Sequence, residues 1–392
     1  MGRIGIYGGT FNPPHLGHIR GAQYAMEALY LEKLLLIPSC IAPHKEIPGN
    51  SPSPAQRAQM LHIAAGEGME ISDIELSRGG ISYTYETLES LALQYPEHEL
   101  VLCMGTDMFL SFLTWKEPYR ILQNASLAVL YRGDTEEVAQ IAVQKAKLED
   151  LGAKVYLVEN PITAISSTQL RRMLVFRCAD SFLPEGVETY IRANGLYGTA
   201  RNYCNLPMEE LEQVVVGLLK PNRVAHVLGC RDTAKELAKR WGADPTDAAR
   251  AGLLHDITKA LDESLQLTLC HEYGIVLGEF SQKNPKTLHA LTGSLVAERI
   301  FGENKKVVDA IRSHTTGKAD MTALEKIIYV ADYMEPNRDF PGVEILRELA
   351  YTDLDKALQT GLEMTISMLR QNGQDISPES AEAIAFLQRA GV

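Results

Sequence analysis

Residues 3–18 read RIGIYGGTFNPPHLGH, and this stretch decides the fold of the first half of the chain. An apolar, strand-like run ends at Gly8 and Gly9, and an amphipathic segment follows directly after His18. Glycines let backbone amides approach a phosphate, and a helix N-terminus offers unpaired N–H groups and a dipole that favours anions. His15 and His18 are close enough along the chain to face one phosphate group. The stretch therefore predicts a phosphate-binding loop, with a Gly/Pro-rich turn and capping histidines as the alternative.

The sequence around this loop alternates between buried strands and amphipathic helices. The strand-like runs are Arg3–Tyr7, Leu34–Pro38, Met69–Ile74, Leu100–Met104, Leu127–Tyr131 and Val155–Val158. The helix-like segments include Ala55–Ala65, Thr84–Gln94 and Glu136–Leu151, the first with Ser53 as its N-cap and Pro54 at its first position. Such alternation predicts an α/β domain with a doubly wound parallel sheet.

The second half has a different pattern, because strand-like runs largely vanish after Pro207 and helical periodicity continues nearly to the C-terminus. The helix-like segments include Met208–Leu219, Val224–Trp241, Ala248–His255, Ser294–Ile300 and Lys306–His314. They are separated by Gly, Pro and Asn, as in an all-α bundle. We predict a first domain at 1–198, a linker at 199–207 and a helical domain at 208–392.

Composition narrows the class of protein and its partners. The formal net charge of −12 disfavours nucleic acid as a partner, because loose binding to a polyanion depends on Lys and Arg. The six cysteines contain no C-x-x-C pair, which argues against a zinc knuckle and a disulfide framework. The chain shows neither a charged-then-apolar leader nor an apolar run of roughly 18 residues. We expect a cytoplasmic enzyme without a membrane partner, and the sequence leaves a homo-oligomer open.

Two signatures in the first half resemble those of the nicotinate mononucleotide adenylyltransferase family. His15-Leu16-Gly17-His18 resembles the first, and Ser166-Ser167-Thr168-Gln169-Leu170-Arg171 resembles the second, an S-x-T-x-x-R element. The intervening residues resemble the nicotinate branch at Pro43-His44-Lys45, Ser77–Thr84, Gly105-Thr106-Asp107, Trp115 and Tyr131-Arg132. This sequence has Ala42 where that family has a more proline-rich approach to its lysine. The resemblance implies a Rossmann-like nucleotidyltransferase fold over nearly the whole first half.

The same resemblance implies an in-line attack of the nicotinate mononucleotide 5′-phosphate on the α-phosphorus of ATP, with Mg²⁺ on the ATP. It implies catalytic roles for His15, His18, Lys45 and Arg171. The implied ATP-binding residues are Gly8, Gly9, Thr10, Phe11, His15, His18, Gly105, Asp107, Ser166, Ser167, Thr168 and Arg171. The implied nicotinate-nucleotide contacts are Lys45, Thr84, Trp115 and Arg132. Packing in the core is the alternative for Trp115, because an aromatic residue beside a loop is commonly just buried.

The histidines and aspartates of the helical half resemble the HD phosphohydrolase superfamily in their order. They are His226, the adjacent pair His255-Asp256, His289, His314 and Asp332. The resemblance implies two metal ions bridged by Asp256, one held also by His226, His255 and Asp332, the other by His289 and His314. Imidazole and carboxylate ligands without thiolate favour iron, manganese or zinc, and we expect iron.

Further residues resemble the YqeK-type hydrolases, which cleave diadenosine tetraphosphate symmetrically into two ADP. Arg223, Lys259 and Arg338 would bind the substrate phosphates, and Asp256 and Lys259 would be catalytic. For Arg338 the alternative is a solvated helix charge. Metal ligands do not fix the leaving group, so another HD nucleotide phosphodiesterase or phosphatase stays open. A metal-bound regulatory module of the transferase is the non-enzymatic alternative.

Overall fold

The computed structural model describes residues 2–42, 51–131, 135–160 and 165–391. The chain divides into two compact units, Met1–Arg201 and Asn202–Val392, and the division lies inside the segment that the sequence predicts as a linker. The exact limits of that linker stay a prediction. Of the helices described, none combines the length and the apolar character that a membrane crossing requires.

The first unit is built on a parallel sheet of six strands in the order β3-β2-β1-β4-β5-β6. The strands are β1 (Gly2–Gly9), β2 (Lys33–Pro38), β3 (Met69–Ile71), β4 (His98–Gly105), β5 (Ser126–Tyr131) and β6 (Val155–Glu159). In the register, Ile6 of β1 lies between Leu35 of β2 and Leu102 of β4, and all three side chains are buried. The strand order reverses between β1 and β4, which confirms the doubly wound parallel sheet.

Nine α-helices surround this sheet in the described part of the first unit. They are α1 (Leu16–Leu29), α2 (Pro54–Ala64), α3 (Ile74–Arg78), α4 (Thr84–Gln94), α5 (Thr106–Leu110), α6 (Pro118–Asn124), α7 (Thr135–Asp150), α8 (Ser167–Val175) and α9 (Val187–Ala193). The predicted start of α2 is confirmed, since the Ser53 hydroxyl accepts from the backbone N–H of Gln56 and Pro54 is the first helical residue.

The predicted strand Met69–Ile74 is wrong at its C-terminal end. The strand stops at Ile71, and Ile74 begins the short helix α3. The helical turn buries Glu75, whose Oε1 accepts a hydrogen bond of 2.8 Å from the Thr87 hydroxyl. Because Thr87 is distant along the chain, the apolar run alone did not indicate where the strand ends.

The second unit is helical throughout the part that the structure describes. Its α-helices are α10 (Met208–Leu218), α11 (Pro221–Trp241), α12 (Pro245–Leu254), α13 (Glu263–Glu272), α14 (Glu279–Lys283), α15 (Leu288–Arg299), α16 (Lys305–Ser313), α17 (Ala323–Met334), α18 (Val343–Thr352), α19 (Leu354–Gln371) and α20 (Pro378–Ala390). The long helix α11 packs against α12 and α17, and α16 packs against α15 and α17. The all-α prediction is confirmed.

Candidate functional site

The loop after β1 leads directly into α1, and the two histidines of the first signature lie at the start of this helix. His15 is the N-cap of α1, and its backbone N–H donates to Nδ1 of His18 over 3.2 Å. The two imidazole rings stack, with centroids 3.6 Å apart and planes inclined by 24°. The first turn of α1 therefore holds both rings side by side at the helix N-terminus, where an anion is favoured.

Burial sets the protonation state of His15. The residue is 5% exposed, and its Nδ1 has no hydrogen-bond partner in the described part of the chain. Burial lowers the pKa of His15 to about 4 because the charged form loses its hydration. His15 is therefore a neutral imidazole at neutral pH, able to make a directed hydrogen bond.

The second signature contacts the loop that carries the first. Arg171 donates from one guanidinium nitrogen to the carbonyl of Asn12 over 2.8 Å and from the other to the Thr168 hydroxyl over 3.1 Å. The Ser167 hydroxyl donates to the carbonyl of Pro13 over 3.0 Å. The two signatures, distant in sequence, thus meet at the edge of the sheet where β1 ends.

A buried arginine also donates hydrogen bonds to this loop and to the segment that follows β2. Arg57 of α2 is 1% exposed and donates to the carbonyls of Thr10 over 2.6 Å and Ser39 over 2.7 Å. Within the described residues, no carboxylate lies at ion-pair distance from Arg57. Burial lowers the pKa of this guanidinium, which keeps its charge because an arginine ordinarily titrates far above neutral pH. The loop therefore lies between two cations, Arg57 and Arg171.

In the second unit, the ends of several helices bring histidines and aspartates together. His226 lies in the first turns of α11, His255 and Asp256 follow α12, His289 is at the start of α15, and His314 follows α16. Asp332 lies in the last turn of α17 and completes the set. All except Asp332 are buried, and the structure therefore gathers every metal ligand that the sequence predicts into one cluster.

Each histidine of this cluster is held through Nδ1. The Nδ1 atoms of His255, His289 and His314 lie 2.7, 2.9 and 2.6 Å from the carbonyl oxygens of Gly252, Lys286 and Ile311, respectively. Nδ1 of His226 lies 3.0 Å from a carboxylate oxygen of Glu335. Because a carbonyl or carboxylate only accepts, Nδ1 carries a proton in each ring, and Nε2 is the nitrogen that faces the cluster and is available to a metal ion.

Asp256 lies between two groups of imidazoles. Its Oδ2 is 3.7 Å from Nε2 of His226 and 3.5 Å from Nε2 of His255. Its Oδ1 is 3.5 Å from Nε2 of His289 and 3.9 Å from Nε2 of His314. One carboxylate therefore faces both groups, with a different oxygen toward each.

The cluster fits divalent metal ions. The ligand atoms of His226, His255 and Asp332 all lie within 4.8 Å of one another, and so do those of His255, Asp256 and His314. Oδ1 of Asp256 is buried and makes no hydrogen bond within the described residues. An unpaired carboxylate oxygen in a buried site is costly unless a cation meets it. The nitrogen and oxygen donors suit a first-row divalent metal.

The electrostatics of the cluster agree with a cation site. Burial lowers the pKa of His289 to about 3 and that of His314 to about 4, so both rings are neutral and able to act as ligands. Burial would raise the pKa of Asp256, but the positive charge and hydrogen bond of His255 outweigh it and hold that pKa well below its usual range. Asp256 is therefore an ionised acceptor. Burial would likewise lower the pKa of His255, but Cys230 and Asp256 outweigh it and hold that pKa well above its usual range, so a metal ion at this site would displace a proton from His255.

Comparison with known proteins follows the division of the fold. A cytidylyltransferase-like family matches residues 6–173, and an HD domain matches residues 223–337. A relative from Dictyoglomus thermophilum named "Probable nicotinate-nucleotide adenylyltransferase" is 36% identical over 196 residues, covering 50% of this chain and 99% of the relative. A symmetrical bis(5′-nucleosyl)-tetraphosphatase from Bacillus subtilis is 39% identical over 174 residues, covering 44% of this chain and 92% of the relative.

The chain belongs to both of these enzyme families, one in each unit. Among solved structures, a predicted HD superfamily hydrolase involved in NAD metabolism from Clostridium acetobutylicum is 36% identical. The match spans 47% of this chain and 98% of the hydrolase, with a TM-score of 0.46. The relatives of the two units confirm the two resemblances identified from sequence motifs and the arrangement of two enzymes in one chain.

In the adenylyltransferase-family unit, Gly8 and Gly9 end β1, Thr10 and Phe11 follow in the loop, and the Phe11 ring centroid lies 5.0 Å from that of His18. Ser166 caps α8 through its hydroxyl. Gly105 ends β4, next to β1, and Asp107 is exposed in the first turn of α5. The structure thus places the predicted ATP residues at the edge where the strand order reverses, the usual ligand position in such sheets. Their contacts with ATP stay predictions.

The predicted nicotinate-nucleotide residues are only partly described. Lys45 and Arg132 lie outside the described residues. Thr84 begins α4, close to the end of β2, because the backbone N–H of Ser82 donates to the carbonyl of Ile41 over 2.9 Å. Trp115 is half-buried and packs on Phe112 with ring centroids 5.5 Å apart, so core packing accounts for part of its surface.

In the tetraphosphatase-family unit, the predicted phosphate-binding cations surround the cluster. Arg223 donates to Oδ2 of Asp256 over 2.6 Å, and Arg338 donates to Oδ1 of Asp332 over 2.7 Å. Nζ of Lys259 is 3.1 Å from both ring nitrogens of His289, and burial lowers the pKa of this lysine. Arg338 is therefore a partner of a cluster carboxylate and not a solvated helix charge.

Sequence reasoning assigned no role to four side chains that contact these sites. They are Arg57 and Tyr197 of the first unit and Thr315 and Glu335 of the second. The Tyr197 hydroxyl donates to the Asn12 side chain over 2.8 Å, and Oγ1 of Thr315 lies 3.1 Å from Nε2 of both His289 and His314. Glu335 and Thr315 stand beside predicted ligands in the sequence, which was the available signal. For Arg57 the sequence contains none that we can identify.

Proposed function

We propose that the first unit transfers AMP from ATP to nicotinate mononucleotide, giving deamido-NAD and pyrophosphate. The observation that carries this proposal is the contact of Arg171 and Ser167 with the carbonyls of Asn12 and Pro13, which joins both signatures into one site. In-line phosphoryl-group chemistry mostly requires positioning and stabilisation of charge. His15 and His18 would hydrogen-bond the α-phosphoryl oxygens, and Lys45 and Arg171 would balance phosphate charge.

Further contacts with these substrates belong to the same proposal. Asp107 would hold the ribose or the Mg²⁺ that accompanies ATP, and Gly8 to Phe11, where β1 ends and the loop begins, would offer backbone amides to the phosphates. Thr84, Trp115 and Arg132 would bind the nicotinate end of the acceptor. An arginine opposite the nicotinate carboxylate would favour it over the carboxamide, since an unpaired buried charge costs several kcal/mol.

We propose that the second unit hydrolyses diadenosine tetraphosphate symmetrically to two ADP. The position of Asp256 between two imidazole groups carries this proposal. Two bound divalent ions, which we propose to be iron with manganese or zinc as alternatives, would activate water and neutralise phosphate charge. His226, His255 and Asp332 would hold one ion, His289 and His314 the other, and Asp256 both. Arg223, Lys259 and Arg338 would bind and orient the substrate phosphates.

One purified chain is sufficient to test both proposals. Its metal content is measured, and it is given nicotinate mononucleotide with ATP in one assay and diadenosine tetraphosphate in another. We expect deamido-NAD and pyrophosphate from the first and only ADP from the second. ATP with AMP as products, or hydrolysis of other nucleotides in preference, would show a different HD activity.

His255→Ala separates a catalytic second unit from a regulatory one. The imidazole of His255 is fully buried and faces Asp256 and Asp332, so its loss should release metal and abolish hydrolysis. Adenylyl transfer should continue. Hydrolysis equal to that of the unchanged chain would refute the catalytic assignment, and a transfer rate that falls with metal content would indicate a regulatory module.

We also propose a cytoplasmic setting, which is supported by six free cysteines, four of them buried. A chemical test is labelling with a membrane-impermeant thiol reagent in intact cells. The exposed Cys204 should stay unlabelled until the cells are lysed. Labelling before lysis would contradict this location.

A further inference from the structure

Glu335 is buried against one of the four cluster histidines. It follows the last residue of α17, is 1% exposed, and its Oε1 lies 3.0 Å from Nδ1 of His226. Its Oε2 accepts two hydrogen bonds of 2.8 Å from Asn337, one from the backbone N–H and one from the side-chain amide. The carboxylate thus accepts three N–H groups in a place that water does not reach.

His226 differs from the other three histidines in this partner. His255, His289 and His314 stand at helix ends, where Nδ1 can reach a main-chain carbonyl three residues earlier. His226 lies within α11, where carbonyls are engaged in the helix, so the side chain of the residue that follows α17 takes the place of a carbonyl. A carboxylate both fixes the tautomer of a ligand imidazole and makes the imidazole a better donor to a metal.

We propose that Glu335 is a positioning residue for His226 and so decides the occupancy of the ion held by His226, His255 and Asp332. This inference rests on the proposed metal centre of the second unit. The ion near His289 and His314 does not depend on it, because those rings are anchored to the main chain.

Gly229 provides the space in which Glu335 lies. A Cβ at this position would collide with Oε2 of Glu335 and would lie 3.0 Å from the side-chain nitrogen of Asn337. Gly229 is one turn after His226 on the same face of α11. A glycine inside a helix is otherwise unfavourable, so close approach of the carboxylate explains its presence.

An amide cannot replace this carboxylate. In Glu335→Gln, an amide NH₂ directed toward Asn337 would meet two donors and lose both hydrogen bonds. If the NH₂ is instead directed toward His226, it needs an acceptor there, which moves the imidazole proton to Nε2 and removes the lone pair that a metal requires. Either arrangement weakens the binding of the ion that His226 would hold.

The test measures metal per chain in the full-length protein, followed by a titration of the metal-free protein with Mn²⁺. We expect Glu335→Gln and Gly229→Ala each to lower the affinity for one Mn²⁺ ion by about 10- to 100-fold and to leave the affinity for the second ion unchanged. Nitrogen-15 spectra of the metal-free protein should show His226 protonated at Nδ1 in the unchanged chain and at Nε2, or as a mixture, in Glu335→Gln.

Two matched controls separate positioning from loss of folding. Glu325→Gln alters another buried carboxylate of α17, which pairs with Lys318 outside the cluster, and should lower the melting temperature while both ions bind normally. Gly217→Ala alters a helical glycine with open space around it and should raise the melting temperature slightly.

The proposed role of Glu335 would be overturned if both test variants bound the two ions as tightly as the unchanged chain does and kept the His226 tautomer. An unchanged chain that binds no metal would instead overturn the proposed metal centre. If Glu335→Gln does not fold, Gly229→Ala decides alone, because it keeps the carboxylate and only displaces it. In that case normal binding of both ions by Gly229→Ala overturns the proposal.

Discussion

The loop that leads from β1 into α1 in the first unit and the histidine cluster of the second unit are built in opposite ways. In the loop, cationic and hydroxyl side chains hold main-chain carbonyls, as Arg57, Arg171 and Ser167 do. In the cluster, main-chain carbonyls hold imidazole side chains, as at His255 and His314. The first arrangement gathers donors and positive charge, and the second gathers imidazole and carboxylate groups, with Arg223, Lys259 and Arg338 around them.

This difference indicates which ligand each site suits and which substitutions will disrupt each site. A loop surrounded by donors suits a polyphosphate, and its geometry depends on the backbone being held in place. A cluster of lone pairs suits cations, and each of its ligands is a side chain that a single substitution removes. Substitutions in one site should therefore leave the chemistry of the other intact.

The largest effect that we expect separates the two sites directly. His18→Ala removes a ring that stacks on His15 at the helix N-terminus, and transfer should fall by about 10²- to 10³-fold, as when one stabilising donor is lost. Hydrolysis of diadenosine tetraphosphate by the same preparation should be unchanged. A fall in both rates would contradict the separation of the sites, and rates of product formation measure it.

A smaller effect should sharpen the assignment of the first site to nicotinate. In Arg132→Ala the preference for nicotinate over nicotinamide mononucleotide should shrink by about 10- to 100-fold, because a charged donor no longer meets the carboxylate. The measurement is the ratio of kcat/KM for the two acceptors, with Arg20→Ala, an exposed arginine of α1, as the control. An unchanged ratio would remove Arg132 from the site.

The support of the loop by Arg57 can be tested through stability. Arg57→Leu leaves the carbonyls of Thr10 and Ser39 without their donor, so the free energy of unfolding should fall by roughly 2 kcal/mol. The KM for ATP should rise because the loop is held less firmly. Urea unfolding and transfer kinetics measure the two effects. Arg20→Leu, an exposed arginine in the same unit, should change stability by less than about 0.5 kcal/mol.

The smallest effect concerns pH. The folded pKa of His15 is about 4, below its unfolded value of about 6.5, so the unfolded chain takes up a proton first as the pH falls. The stability contributed by neutral His15 is complete above the unfolded pKa and is lost between the two values. Lowering the pH from 7 to 5.5 should cost about 1 kcal/mol through this residue. Urea unfolding of His15→Gln should show a loss smaller by that amount, and equal losses would contradict the prediction.

Much of the fold could be predicted because its signals are local. Ser53 and Pro54 mark a helix start within two residues, and the bounds of Thr84–Gln94 follow from helical periodicity. The strand end at Ile71 could not be found, since the buried contact of Glu75 with Thr87 crosses between two helices. Boundaries of this kind depend on tertiary contacts that a sequence pattern does not contain.

The candidate sites show the same division. His255 and Asp256 are adjacent, and the first signature is continuous, so motifs identified both sites. The partners of Arg57 are 47 residues before it and 18 before it, and Glu335 is 109 residues after His226. Glu335 lies three residues after the predicted ligand Asp332, but its pairing with His226 and the whole role of Arg57 can be found only once the helices and strands are packed together.

The anchoring of His255, His289 and His314 has a consequence for how this protein can vary in length. Each ring reaches a carbonyl three residues earlier, so the spacing within these segments must be kept for the ring to be held in place. The segments are Gly252–His255, Lys286–His289 and Ile311–His314. An insertion of one residue within any of them would turn the imidazole away from Asp256. Insertions between these segments, for example near the exposed Val276, would leave all three imidazole contacts unchanged. Natural length variation in this unit should therefore be confined to the stretches between them.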